Sequence, residues 1–453
     1  MWCDLARPFC GQCRKSSLVC DGYDRSTIWV NMTRETGPDK RYTLPPQPSE
    51  ITLAETLART AYQEQYLGLF WNEYLPNGRA LPVDSQKYTG GSAAPLKKVL
   101  LAIALASVGK RDRRNRWMVE GSVKLHGEAM AAVAGQLGEM DVLSSDLNLA
   151  SVRLLWLYEI LHGHDLQDHQ GQVRKWHTHI KGGMRFLLSR GPENYTSGFA
   201  HQLFADDRNT QIASALVSGT HSILNTPEWK TIPWSITPKT PKDILGDIFA
   251  EIPTLFVELN LLRSCSPDED YRHRETLIRH CWRLEKQWLN WILEHAPACN
   301  PIIPDPESVS PSQVFEHFIA AHAMIGYWTI GVLVYGVFQV VCGYENEPRE
   351  LGLGLEEGLY ETDARRCCAR IMEILPTFLH PYTGEYGMHG AIFPAIVVLD
   401  YHEEWDGEGS KVEREIEKLF DSCSKGRRIG EFVYGMRVRL RAGGLRLFKP
   451  VYE

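Results

Sequence analysis

The sequence carries none of the short signatures that mark the commonest enzymes. It has no Gly-x-Ser-x-Gly elbow, no Gly-x4-Gly-Lys phosphate loop and no His-Glu-x2-His pair. That removes the usual serine-hydrolase, P-loop and zinc-protease readings. Excess positive charge is also missing: the net charge is −7 over 453 residues, so no global field draws in nucleic acid and any polyanion contact must be local. No internal repeat of roughly 20–50 residues stands out, which argues against a solenoid or propeller. No apolar stretch follows Met1-Trp2-Cys3-Asp4, so a secretory signal is not expected. With 43% hydrophobic and 23% charged residues, the chain is too apolar to be mainly disordered. A single core seldom grows beyond about 250–300 residues, which predicts one large domain with sub-lobes or two domains.

What is present is an uneven distribution of sulfur. Of 11 cysteines, four lie in the first twenty residues, spaced Cys3-x6-Cys10-x2-Cys13-x6-Cys20. In a reducing compartment clustered thiols are metal ligands more often than disulfides. A Cys-x2-Cys step brings two thiolates onto one turn, within reach of one tetrahedral ion. Pro8 stiffens the loop that returns to the metal. Cys3, Cys10, Cys13 and Cys20 are therefore the candidate zinc ligands.

Residues 21–49 are polar and turn-rich, with an Ile28-Trp29-Val30 strand that reads as a short hairpin followed by a linker. From residue 50 to 453 apolar residues recur at spacings of three and four, which predicts an all-α domain of roughly a dozen helices. Helices are expected near 51–75, 96–109, 116–138, 147–162, 172–189, 199–217, 241–263, 270–295, 312–342, 362–375, 390–404 and 411–441. Segments 226–241 and 296–312 read as Pro-rich loops between sub-lobes. Between Glu316 and Glu345 there is no Asp, Glu, Lys or Arg. That run is long enough to cross a bilayer. It carries His322 and Gln339, and its acidic flanks show no Lys/Arg asymmetry. A buried central helix is the reading adopted, with no membrane partner.

The N-terminal stretch CDLARPFCGQCRKSSLVCDGYDR resembles the second half of the binuclear zinc cluster of fungal transcription regulators. In that family six cysteines hold two zinc ions through two bridging thiolates. Matched in order, Cys3 takes the place of the third cysteine, followed by Asp4 and the Pro8 loop. Cys10 takes a bridging place, and Cys13 and Cys20 complete the set of the second metal. The resemblance implies a nuclear regulator of RNA polymerase II transcription that binds DNA and engages the transcription machinery. The first two cysteines of the pattern, and the basic helix that reads DNA with them, have no counterpart in these residues. Arg7, Arg14 and Lys15 are the remaining candidate DNA contacts, against Asp4. Three cations do not supply the steep salt-dependent phosphate affinity of a specific binder. Weak or absent DNA binding is therefore expected of these 453 residues. A start codon assigned inside the gene is the expected explanation, ahead of a genuinely shortened member.

The helical part resembles the regulatory domain of the same family. Leu157-Tyr158-Glu159 with Gly163, then Trp176, His179 and Gly182-Gly183, and the Arg190-Gly191-Pro192 turn carry that likeness. So does Pro227-Glu228-Trp229 leading to Ile232-Pro233-Trp234. It implies a helical domain that controls the DNA-binding head and responds to a small-molecule effector. The alternative is a helical ligand- or partner-binding regulator that has lost DNA binding.

Other patterns compete with this reading. His162, His164, Asp165, Asp168, His169, His177 and His179 crowd into eighteen residues, as metal ligands do. Asp168 and His169 fall two residues late for a metallo-hydrolase motif, so a polar helix junction around Trp176 is expected instead. The run Leu351–Gly358 follows no strand and carries two acidic residues, and reads as a loop rather than a nucleotide site. Of Cys367 and Cys368, one is expected buried and one peripheral. The basic runs 110–116 and 425–449 read as solvated helix ends, the second with its charged face in water. No nucleophile or acid–base constellation is identifiable, so an enzyme is not expected.

Overall fold

The computed structural model describes residues 15, 65, 68, 74, 94–110, 116–136, 146–163, 169–265, 267–303, 309–342, 363–442 and 446–451. The expected hairpin within 21–49 and the loop at 351–358 lie outside them. The chain divides into two units, Met1–Gln65 and Tyr66–Glu453. In the first, Lys15 and Gln65 are described, both helical and exposed. The fold is all-α: the described residues contain fourteen bounded α-helices and no strand.

At one end of the larger unit, α1 (Ala94–Gly109), α2 (Arg116–Gln136), α3 (Asp146–His162) and α4 (His169–Arg190) pack together. From Asn148 to His162, α3 is buried at every position but Arg153. A helix apolar on all sides must be enclosed, and α1, α2, α4 and α5 (Gly198–Val217) surround it.

The segment 226–241, expected as a loop, is ordered and packed. It forms α6 (Pro227–Thr231) and a 3-10 turn, Ile232–Trp234. Each has a proline in its first two positions, where the missing N–H would have no helical partner. Trp229 and Trp234 are buried against Phe204, with ring centroids 5.6 and 5.3 Å away. The buried Arg208 guanidinium lies 4.7 Å from the Trp234 ring and donates to the Asp243 carbonyl at 3.0 Å. The prolines here begin structure rather than end it.

One helix was expected over 241–263; there are two, α7 (Pro241–Phe249) and α8 (Ile252–Ser264). Pro253 cannot donate to the carbonyl four residues back and its ring clashes there, so α7 stops at Phe249. The start of α7 is fixed by a capping box in which Thr240 Oγ1 accepts from Asp243 N and Asp243 Oδ2 accepts from Thr240 N.

α9 (Pro267–His295) and α10 (Pro311–Cys342) are the long helices. The uncharged run forms most of α10, about 48 Å long at the standard rise. Its most apolar window passes the length and hydropathy test for a membrane span, yet 83% of that window is buried inside the protein. α7, α8, α9, α11 (Ala364–Phe378) and α12 (Gly384–Asp406) cover it. Trp288 of α9 stacks on Tyr327 at 4.2 Å and donates its indole N–H to the Tyr327 carbonyl at 2.7 Å. Gln339 accepts from the Tyr401 hydroxyl at 2.7 Å, so this amide is satisfied within the fold.

The expected helix over 411–441 is also two, α13 (Lys411–Asp421) and α14 (Ser424–Ala442). Cys423 Sγ accepts from Gly426 N at 3.2 Å and caps the start of α14, which folds back on α12 and α13. This overturns the expected solvated charge face: Arg437 is 3% exposed, between carboxylates of α12 and α13. Cys367 and Cys368 are both fully buried, against the expectation of one peripheral residue. At the start of α11 successive side chains meet α10 and α12 on different sides, so neighbouring positions are enclosed together.

Candidate functional site

The expected metal ligands Cys3, Cys10, Cys13 and Cys20 lie outside the described residues, as do Arg7 and Arg14. Lys15 is described, on a helix and exposed. His164, Asp165 and Asp168 lie outside as well. The remaining histidines of that crowded stretch part company. His162 bonds Ser107 Oγ of α1 at 3.1 Å, and His177 bonds Ser218 Oγ at 3.0 Å. Trp176 is buried beside them, edge-on to Phe432 at 5.8 Å, as a packed junction requires.

Among the described residues of that group, His179 meets other metal-ligating side chains, and its partners come from two other helices. Its Nε2 lies 3.8 Å from Glu159 Oε1, and His126 Nε2 of α2 lies 3.6 Å from the same oxygen. The three donor atoms lie within 4.8 Å of one another. His126 stacks on Tyr158 at 4.1 Å, and Tyr158 bonds Ser122 Oγ at 2.9 Å. Burial pushes His126 down to about 4 despite the carboxylate of Glu159, so the ring is neutral near pH 7. Gly163 is needed beside it, because a Cβ there would stand 2.7 Å from the Glu159 carbonyl oxygen. His126 was not singled out from the sequence, since no spacing rule links position 126 to 159 and 179.

A large concavity lies elsewhere. A cavity of about 980 Å³ opens between α3, α5, α7, α9 and α10. A smaller lobe of about 180 Å³ shares several of its walls. Tyr74, Arg153, Trp156, Asp206, Lys242 and Tyr386 line both. The size falls at the upper end of small-molecule sites, and most of the wall is aliphatic or aromatic. Arg153 is the one α3 residue of its stretch that escapes burial, because it faces this space. Its Nη1 lies 3.5 Å from Asp206 Oδ2 and makes no hydrogen bond among the described residues. Lys242 Nζ lies 3.9 Å from Asp206 Oδ1. Burial opposes the charge on Arg153, but Asp206 and Asp207 outweigh it and hold the guanidinium protonated. Two cations thus share one carboxylate of the wall. His322 and His389, which also line the cavity, are pushed down by burial to about 3 and about 4. They are neutral hydrogen-bonding groups there, not charges.

At the mouth, Cys299 Sγ lies 3.5 Å from His317 Nδ1. That nitrogen also lies 2.6 Å from the Asn300 carbonyl, to which it donates. Its proton is committed, so it is not placed to deprotonate the thiol. The chemistry that the cavity offers is binding of a largely apolar molecule bearing one acidic group.

No family model matches the chain, and no solved structure matches it. Over 151 residues it is 26% identical to an uncharacterized protein of Emericella nidulans, an overlap that takes in 33% of this chain and 31% of that protein. The chain thus spans about a third of the length of the curated relative it matches.

Proposed function

We propose that this chain is a nuclear transcription regulator of the fungal zinc-cluster type, without catalytic activity of its own, whose helical unit binds a small acidic effector. The thiol spacing Cys3-x6-Cys10-x2-Cys13-x6-Cys20 supports the DNA-binding half. Zinc held there would order this half of a DNA-binding head that is whole only in a complete product, with Arg7, Arg14 and Lys15 as its phosphate contacts; DNA binding by these 453 residues is weak or absent. The order of Trp176, His179, Gly182-Gly183 and the Arg190-Gly191-Pro192 turn supports a regulatory role for the helices. The single observation that carries the sensing half is Arg153, a charged guanidinium without a full set of partners in the wall of an apolar cavity.

A partly exposed cation of this kind, set in an apolar wall, selects by charge. An acidic ligand replaces the distant Asp206 contact with a close one, while an uncharged analogue leaves Arg153 as it was. Aromatic and aliphatic carboxylates are therefore the ligands to screen, with Trp156 fluorescence as a reporter. Arg153→Gln is expected to weaken a carboxylate hit by about tenfold or more, the size of one lost charge-assisted hydrogen bond. The amide analogue of the same compound should bind both proteins equally. Equal carboxylate affinity in both proteins, measured by calorimetry, would remove Arg153 from the reading.

A further inference from the structure

We propose that His126, Glu159 and His179 are the three protein ligands of a divalent zinc-type metal ion held between α2, α3 and α4, with a fourth position open to water. The site is separate from the four N-terminal cysteines and does not rest on the regulator reading.

The first argument is the state of the facing atoms. His126 and Glu159 are 5% and 4% exposed. His126 is hydrogen-bonded to the Leu155 backbone, a bond that favours the protonated ring and so runs from the imidazole to the carbonyl. Its Nε2 has no hydrogen-bond partner among the described residues, and neither has Glu159 Oε2. A single proton on the ring therefore sits on Nδ1, and the Nε2 lone pair faces a carboxylate oxygen 3.6 Å away. The lone pair and that oxygen, Oε1, repel each other, and His126 Nε2 and Glu159 Oε2 are left as buried acceptors without a donor, which is unfavourable. A cation between them turns that repulsion into attraction.

The second argument is geometric. Tetrahedral zinc with bonds of about 2.0–2.1 Å holds its ligand atoms about 3.4 Å apart. The two spacings to Glu159 Oε1, 3.6 and 3.8 Å, need contract by only a few tenths of an ångström. Two imidazoles and one carboxylate are a donor set that suits zinc and its late first-row neighbours better than magnesium or calcium. The Leu155 bond fixes the ring that presents Nε2, the kind of outer contact that metal-bound histidines make. The His179 side chain is 15% exposed, which leaves an entry path from solvent on that side.

The ion would add a tie among three helices already joined by the Tyr158–Ser122 bond and the Gln172 bond to the Glu159 carbonyl. The full chain should bind one equivalent of Zn²⁺ or Co²⁺ more than its Glu159→Gln and His179→Gln variants. The Co²⁺ spectrum of that equivalent should lack sulfur-to-metal charge transfer, which separates it from any ion on the cysteines. Affinity at the site should fall more than about 100-fold in either variant, beyond the effect of losing an outer-sphere contact. Added Zn²⁺ should raise the thermal midpoint of the parent but not of His179→Gln. His179 is the partly exposed ligand, so that variant carries the test even where Glu159→Gln fails to fold. Unchanged metal stoichiometry and an unchanged Zn²⁺-induced shift in His179→Gln would overturn the proposal.

Discussion

Arg437→Met is expected to destabilise the helical unit by about 3–5 kcal/mol, the usual cost of removing one partner from a buried ionic group. Arg437 on α14 donates from Nη1 to Glu413 Oε1 of α13 at 2.7 Å and from Nη2 to Glu403 of α12. The side chains of Glu403 and Glu413 are only 12% and 11% exposed. Arg441 also pairs with Glu403, and Gly409 N with Glu413 at 2.7 Å, but neither replaces the cation between the two carboxylates. Combining Arg437→Met with Glu403→Gln and Glu413→Gln should recover most of the loss, because no buried charge is then left alone. The pH dependence has a definite sign. Burial tends to raise Glu413, yet its bonds to Arg437 and the Gly409 backbone hold it below the usual glutamate value. Its ionised form therefore contributes stability that is complete above the unfolded value of about 4.3 and is lost progressively as pH falls from there through the lower folded value. The gap between parent and Arg437→Met in urea unfolding should narrow as pH falls from 7 to 4.

The second large effect concerns the C-terminal segment, which closes over the central helix. Phe448 is fully buried, 5.4 Å from Tyr401 and 6.2 Å from Phe256 between ring centroids. The backbone around it is bonded in place: Leu447 N donates to Asp400 Oδ2 at 3.0 Å and Arg263 donates to the Leu447 carbonyl at 3.2 Å. α10 accommodates the ring only because position 336 is glycine. A Cβ there would stand 2.2 Å from Phe448 Cε1. Phe448→Ala is expected to cost about 3–5 kcal/mol through the cavity it leaves. Gly336→Ala is expected to cost about 1–3 kcal/mol through overpacking. The pair should be less harmful than the sum by at least about 1 kcal/mol, since the added methyl group enters the space that the ring vacates. Denaturant midpoints of the four proteins of that cycle measure it.

Much of the helical layout was legible because it depends on period and punctuation alone. The helices around Leu105, Leu155 and Ile212 begin and end within a few residues of where their apolar spacing places them. The divisions at Pro253 and Cys423 were missed, although the rule for an interior proline was at hand. The apolar period runs on across both breaks because the same core receives the helices on either side. Arg437 was misread for a related reason. An arginine among apolar neighbours looks like the wet edge of an amphipathic helix until a second helix brings Glu403 against it. The candidate sites depend still more on tertiary structure. Glu159 and His179 stood out through their surroundings in the sequence, but His126 and the Arg153–Asp206 pair have no local signature. They become a site only when α2, α3, α4 and α5 are packed.

The regulator assignment stands on the thiols, and they can be tested directly. The intact, reduced chain should hold zinc through Cys3, Cys10, Cys13 and Cys20, and Co²⁺ in its place should show sulfur-to-metal charge transfer. Cys10→Ser and Cys13→Ser should each abolish that band and lower the zinc content while helical circular dichroism stays the same. A chain that shows no sulfur–metal band and holds as much zinc after either substitution as before would contradict the account.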